Sequence, residues 1–287
     1  MDAIRVVARR GGVVEAVHLV HAVAFADGKV VESAGDAGLV SFLRSSAKPF
    51  QALELARARD DLDDRDLAIA SASHRAEPAQ IEAVRGLLAK AGAREDELEC
   101  GFQEGRPHAR IYHNCSGKHA GMLAACRANG WPLEGYRLPD HPLQRRIAEL
   151  LPEAVATATD GCGVVTWALP LERMAAMYSQ LESSEEGARV AAAMRARPEL
   201  IAGEGGTDTE LMRTLDGFTA KGGAEGLLCA AGPGGLGIAL KCEDGASRAI
   251  RPALAVLLRR LGRPLPEFAR VPVANSRGEH VGELSML

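Results

Sequence analysis

No stretch of this chain reaches the roughly 18 consecutive apolar residues that a membrane-spanning helix requires, so a spanning helix is not expected. A long basic run is equally absent. The 34 basic and 38 acidic residues are interspersed along 287 positions, with a net charge of -4, which leaves nothing to neutralise phosphates or anionic lipid and argues against nucleic acid or membrane partners. Repeats, low-complexity tracts and a clear linker are missing too, so one domain over residues 1–287 is expected. Six cysteines, Cys100, Cys115, Cys126, Cys162, Cys229 and Cys242, follow neither zinc-finger nor disulfide-framework spacing. A chain of this length buries a full core without staples, so they read as reduced thiols. The opening residues carry a twin Arg9-Arg10, but Glu15 and His18 interrupt any apolar leader and no small-residue cleavage motif follows. The expected location is the cytoplasm.

What is present is ordinary for a globular protein, with 47% apolar and 25% charged residues. Glycine is plentiful at 31 residues, roughly 11% against a usual ~7%, so many tight turns follow and some line a site. From Ile4 to Ser45, β-branched runs alternate with turn signals: Ile4-Arg5-Val6-Val7 precedes Gly11-Gly12, and Ala22-Val23-Ala24-Phe25 precedes Asp27-Gly28. Such signals mark antiparallel hairpins. Helical spacing takes over between Lys48 and about Leu215, as in Ile81 to Leu88, Leu143 to Leu151 and Glu172 to Tyr178. Strands return after Gly217, with Gly226 to Ala231 and Leu236 to Lys241 flanking a Gly-Pro-Gly-Gly turn, and a helix from Ala253 to Leu261 follows. The expected class is α+β. One antiparallel sheet is built from both chain ends, residues 1–45 and 217–287, with a mainly helical portion, 46–216, between them.

Three constellations carry chemistry. The first is Ser45-Ser46-Ala47-Lys48 before Pro49 and a helical run. If Ser45 caps that helix, Ser45 and Lys48 stand one turn apart on one face. A serine hydroxyl attacks an amide poorly until a base takes its proton, and a lysine kept neutral by burial or nearby positive charge can be that base. The bland alternative is an ordinary cap beside a solvated lysine. Order along the chain favours the chemical reading: Ser73 follows the first helix and Lys221-Gly222-Gly223 precedes a returning strand, the order of the three motifs of serine β-lactamases and penicillin-binding proteins. The second and third constellations are His113-Asn114-Cys115-Ser116-Gly117-Lys118-His119 and Thr159-Asp160-Gly161-Cys162-Gly163. Cys115 and Cys162, with His113, His119 or Asp160 nearby, form either a soft divalent-metal site or a pair of buried thiols in packed turns.

Taken together with Arg44-Ser45-Ser46-Ala47-Lys48-Pro49-Phe50-Gln51, Ala72-Ser73-His74 and Lys221-Gly222-Gly223-Ala224-Glu225-Gly226, these motifs resemble the asparaginase II family of the rhizobial type, in register from Arg10-Gly11-Gly12 to Val281-Gly282-Glu283-Leu284. The resemblance implies a fold similar to serine β-lactamases and class A glutaminases, and a homodimer. It also implies hydrolysis of L-asparagine to aspartate and ammonia. Two Ser-Lys tandems are implied as the catalytic groups, Ser45 with Lys48 and Ser73 with Lys221. Zinc is implied on Cys115, Lys118 and Cys162, with Asp160 beside them. Arg44, Asn114, Lys118, His119 and Asp160 are the groups expected to hold the substrate. One departure stands out: Asp208, in Thr207-Asp208-Thr209-Glu210-Leu211-Met212, occupies a place where some relatives carry a third cysteine, a harder ligand in a soft set. The alternatives are a β-lactamase-like or peptidase-like Ser-x-x-Lys hydrolase, or a non-catalytic amino-acid-binding protein.

Overall fold

A computed structural model describes residues 1–287. In chain order the strands and helices are β1 (Ile4–Arg10), β2 (Val13–Ala26), β3 (Lys29–Ala34), β4 (Val40–Phe42), α1 (Lys48–Gln51), α2 (Leu53–Ala58), α3 (Asp64–Ala70), α4 (Pro78–Ala91), α5 (Ser116–Asn129) and α6 (Pro142–Glu149). They continue as β5 (Ala156–Thr159), β6 (Val165–Pro170), α7 (Leu171–Ser179), α8 (Glu185–Ala196), α9 (Pro198–Ala202), α10 (Thr207–Thr214), β7 (Thr219–Gly223), β8 (Leu227–Gly232), β9 (Leu236–Cys242), α11 (Ile250–Arg260), β10 (Arg270–Ala274) and β11 (His280–Met286). The chain divides into two compact units. The first comprises residues 1–43, 169–179 and 222–287; the second comprises residues 44–168 and 180–221. No helix is long and apolar enough to cross a membrane.

The first unit is the antiparallel sheet expected from both chain ends, with strands in the order β10-β11-β1-β2-β9-β8 and β3 paired to β2. Long strand β2 is its spine. Its first half pairs with β1, from Arg10 opposite Val13 to Ile4 opposite Val20, and its second half pairs with β3 on one side and β9 on the other. The Asp27-Gly28 turn joins β2 to β3 with both residues at positive φ, as the hairpin signal requires. Helices α7 and α11 pack on the sheet. Gly237 in β9 is what lets α7 come so near: a Cβ there would lie 1.9 Å from the Ala175 carbonyl oxygen. Helix α7 therefore belongs to the sheet unit, although its sequence lies within the stretch expected to be helical insertion.

The second unit is mainly helical. Its centre is α5, where every residue from Ser116 to Cys126 is buried, so the helix has no solvent face along that length. Helices α2, α3 and α4 pack around it. Helical spacing does not announce the β5–β6 hairpin in this unit, paired from Ala156 opposite Ala168 to Thr159 opposite Val165. Its turn delivers Asp160 and Cys162.

Candidate active site

All the expected site residues fall within the second unit. Ser45 lies in a 3-10 turn, Arg44–Ala47, that leads into α1. The N-cap of α1 is Ala47, with no side-chain cap bond, so the expected capping by Ser45 does not occur. The reason is Arg44, which turns the chain one step early by adopting φ 48, a region costly for any residue but glycine. Two bonds hold it there: its N–H donates to Thr166 Oγ1 at 3.1 Å and its Nε to Asp160 Oδ1 at 2.6 Å. The turn runs directly into α1, whose first residue is Lys48, and residues three apart on helical backbone lie on the same side, so Ser45 and Lys48 still share a face. Ser45 remains half-exposed.

Lys48 is not solvated; its side chain is fully buried. Its Nζ donates to the Ala72 carbonyl and to Ser73 Oγ, the latter at 2.9 Å. Burial pushes the amine down to about 8, with Lys221 and Lys118 adding to the effect and Cys115 and Cys162 opposing it. A buried amine that meets only neutral oxygens is the setting in which lysine gives up its proton near physiological pH. The expected tandems are thereby redrawn. Lys48 is bonded to Ser73 rather than Ser45, whereas Lys221 Nζ donates to Asp208 Oδ2 at 3.1 Å and its carbonyl accepts from Ser46 Oγ at 2.9 Å.

Backbone bonds fix the segment carrying Ser73: its N–H donates to the Ile201 carbonyl at 2.8 Å, and that of His74 to the Asn114 carbonyl at 3.1 Å. His74 Nδ1 accepts from the Ala76 N–H at 3.1 Å, which leaves Nε2–H to donate to Ser116 Oγ at 2.8 Å. Burial, then Lys48, push this histidine down to about 3, so it is a neutral strut. The approach of α5 depends on Gly117, where a Cβ would lie 2.2 Å from the Ile69 carbonyl oxygen; at Gly121 it would lie 2.9 Å from Ala70 Cβ. Two glycines one turn apart thus set α5 against the stretch that leads into Ser73.

Cys115 is the N-cap of α5, and Cys162 comes from the β5–β6 turn. Both are buried and unbridged. The hydrogen bond from Cys162 holds the Cys115 thiol well below its ordinary range against the effect of burial, and Cys162 is raised in turn, first by that bond and then by burial. Lys118 Nζ donates to Cys162 Sγ at 3.0 Å. Burial would lower this amine, but Cys162 and Cys115 override burial and hold it above its ordinary value. Asp160 is kept ionised against burial by Lys118 and by its bond from Arg44. His119 Nδ1 is 2.7 Å from Tyr136 Oη, and its Nε2 sits by Cys162 without a well-formed hydrogen bond. Asn114 contributes its carbonyl to the His74 N–H. Two sulfurs and one amine nitrogen therefore converge, a donor set that suits zinc provided Lys118 and Cys162 release their protons. Asp208 is engaged by Lys221 instead of completing that set.

Similarity to known proteins gives the class first: this is an amidohydrolase. Residues 6–286 match the family described as L-asparaginase II, and the chain belongs to that family. No protein of curated function matches the sequence. Among solved structures the chain is similar to one described as Mglu, at 15% identity and TM-score 0.39 over 86% of this chain and 68% of that one. It is similar to Mglu in its glutamate form at 16% identity and TM-score 0.40, over 86% and 62%. A protein of Bacteroides dorei provisionally described as a beta-lactamase aligns at 12% identity and TM-score 0.45, over 84% and 93%. The chain thus spans about two thirds of the Mglu structures.

Proposed function

We propose that this amidohydrolase hydrolyses L-asparagine to L-aspartate and ammonia through a covalent aspartyl-serine ester. The observation that carries the reading is Lys48, a buried amine with a lowered proton affinity, three residues after Ser45 and hydrogen-bonded to Ser73. Ser45 attacks the side-chain amide carbon while neutral Lys48 takes its proton. Ser73, bonded to Lys48, hands that proton to the departing ammonia, so one lysine serves both hydroxyls. Backbone N–H groups at the helix start hold the developing oxyanion. Water then hydrolyses the ester with Lys48 again as base. Arg44 and Asp160, held to each other, orient the charged end of the substrate together with Lys118, His119 and Asn114.

Zinc fits Cys115, Cys162 and Lys118, and bound there it supplies a fixed positive charge beside the substrate. A cytoplasmic location, read from the opening residues, and a homodimer, implied by the family resemblance, complete the proposal; the exposed Val13, Val14, Val17 and Leu19 along β2 offer such an assembly an apolar surface. Light scattering and cell fractionation test these two points.

The deciding experiment is ammonia release from asparagine and from glutamine, with and without added zinc. Turnover of asparagine well above glutamine supports the proposal. Silence on both amides, together with hydrolysis of a chromogenic cephalosporin, would replace it with a β-lactamase-like activity. Asparagine that only raises the melting temperature would make the chain a binding protein.

A further inference from the structure

Three lysines are buried in the second unit, and each meets a different kind of partner. Lys48 meets neutral oxygens, Lys118 meets sulfur, and Lys221 meets a carboxylate. The Lys221–Asp208 pair is the most enclosed ion pair of the unit, with side-chain exposures of 1% and 8%. Asp208 stands in the first turn of α10, which is anchored on its own account: Thr209 Oγ1 donates to the Pro198 carbonyl at 2.9 Å, and the Gly205 N–H to Glu210 Oε1 at 3.2 Å. The backbone carbonyl of the same lysine accepts from Ser46 Oγ, one residue beyond Ser45. A carboxylate on a rigid helix therefore fixes the side chain of the lysine whose backbone braces the turn that presents the proposed nucleophile.

We propose that Asp208 is a positioning residue of the hydrolysis: it holds Lys221 as a fixed cation in register with the Ser45 turn, so that Lys221 supplies charge and alignment while Lys48 alone moves protons. This rests on the asparaginase reading above. It assigns Asp208 neither to a metal nor to mere filling, and it removes Lys221 from the proton relay that its motif suggests. A buried ion pair resists the loss of either member because the survivor is left uncompensated, whereas removal of both charges together is well tolerated. That asymmetry makes the assignment testable.

The test is ammonia release from asparagine by the full-length wild type, Asp208→Asn, Asp208→Glu, Lys221→Met and the Asp208→Asn/Lys221→Met double variant, each with its melting temperature. The expected result is a loss in kcat/KM of about twentyfold or more in Asp208→Asn, most of it restored in Asp208→Glu, and a double variant no worse than Lys221→Met alone. The double variant, which leaves no buried charge unpaired, keeps the question answerable if Asp208→Asn fails to fold. An Asp208→Asn enzyme that folds and stays within about twofold of wild type, or losses that simply multiply in the double variant, would overturn the assignment. Inactivity of the wild type on both asparagine and glutamine would instead overturn the asparaginase reading, which separates the two failures.

Discussion

The molecule holds two clusters built around buried cysteines, and the groups that meet the sulfurs differ between them. In the first unit His18, Cys242 and Asp244 bring their donor atoms within 4.8 Å of one another. Asp244 accepts from Cys242 Sγ at 2.9 Å and pairs with His18 Nδ1 at 2.6 Å, while Arg248 Nε donates to His18 Nε2 at 3.1 Å. Because Nε2 accepts, Nδ1 carries the imidazole proton and points it at the carboxylate, so no ring lone pair is left for a metal. Burial, then Asp244, push the Cys242 thiol up to about 12. In the second unit Lys118 donates to Cys162 Sγ, and Cys115 is held low, first by its hydrogen bond from Cys162 and then by Lys48 and Lys118, against burial. At Cys242 burial comes first and the carboxylate adds to it. Hydrogen-bond partners and nearby charge thus set the two sulfurs apart although both are buried.

The largest effect that sharpens this contrast is expected at Lys48. Lys48→Met should cut ammonia release by about a thousandfold, the usual scale for loss of a general base with some added positioning. The same substitution should raise stability at neutral pH. The folded amine titrates near 8 against an ordinary 10.5, so below pH 8 the buried charge costs roughly 3 kcal/mol, a cost that fades as pH rises from about 8 toward 10.5. Wild-type activity should accordingly fall on the acid side of about pH 8, where the base becomes charged. A Lys48→Met variant that is both inactive and less stable than wild type would remove Lys48 from this account.

Next in size is metal binding. Zinc at Cys115, Cys162 and Lys118 needs both sulfurs as thiolates and the amine neutral. Affinity should therefore fall as pH falls, measured by competition with a chelator, and protons should appear on binding in weak buffer. No such response is expected at His18, Cys242 and Asp244.

Acid stability ranks third. His74 and His119 are buried and neutral, pushed down to about 3 and about 4. Unfolding lets them take up protons below about 6.5, so stability present above that pH should be lost as pH falls toward their folded values, by roughly 2 kcal/mol for each at pH 5. Urea melts at pH 7.5 and pH 5 measure this, and His74→Gln should flatten the difference. The smallest effect belongs to the cluster of the first unit. Cys242→Ser should change stability by no more than about 1 kcal/mol and activity not at all, because Asp244 is half-exposed and its bonds are screened.

Hairpins with glycine turns and helices with regular apolar spacing were legible from residues alone, as β1–β3, β8–β9, α4, α6 and α7 demonstrate. Two pairs of strands were not. Ala156–Thr159 is exposed throughout and alternates only small alanines with threonines, and Arg270–Ala274 places Pro272 inside an edge strand, a residue that argues against pairing. At the site, the residue types were legible but their partners were not. Lys48 and Ser73 are 25 positions apart, and their bond exists because backbone contacts of Ser73 and His74 with Ile201 and Asn114 steer that segment to the lysine. The Arg44 turn was equally silent, since a positive φ at arginine has no sequence signature and had to displace the expected Ser45 cap. Asp208, read as a harder metal ligand, is bound instead by Lys221, a choice made by the placement of α10.

Gly117 and Gly121 have a consequence for anyone wishing to engineer this enzyme. Replacing glycine by alanine within a helix is among the safest stabilising edits known to protein engineers. Gly86, in the middle of α4 with open space where a methyl would go, invites it. At Gly117 the same edit drives a methyl into the Ile69 carbonyl and pushes α5 off the segment that carries Ser73. A library built by consensus or propensity rules would treat these positions alike, and should leave the second one untouched.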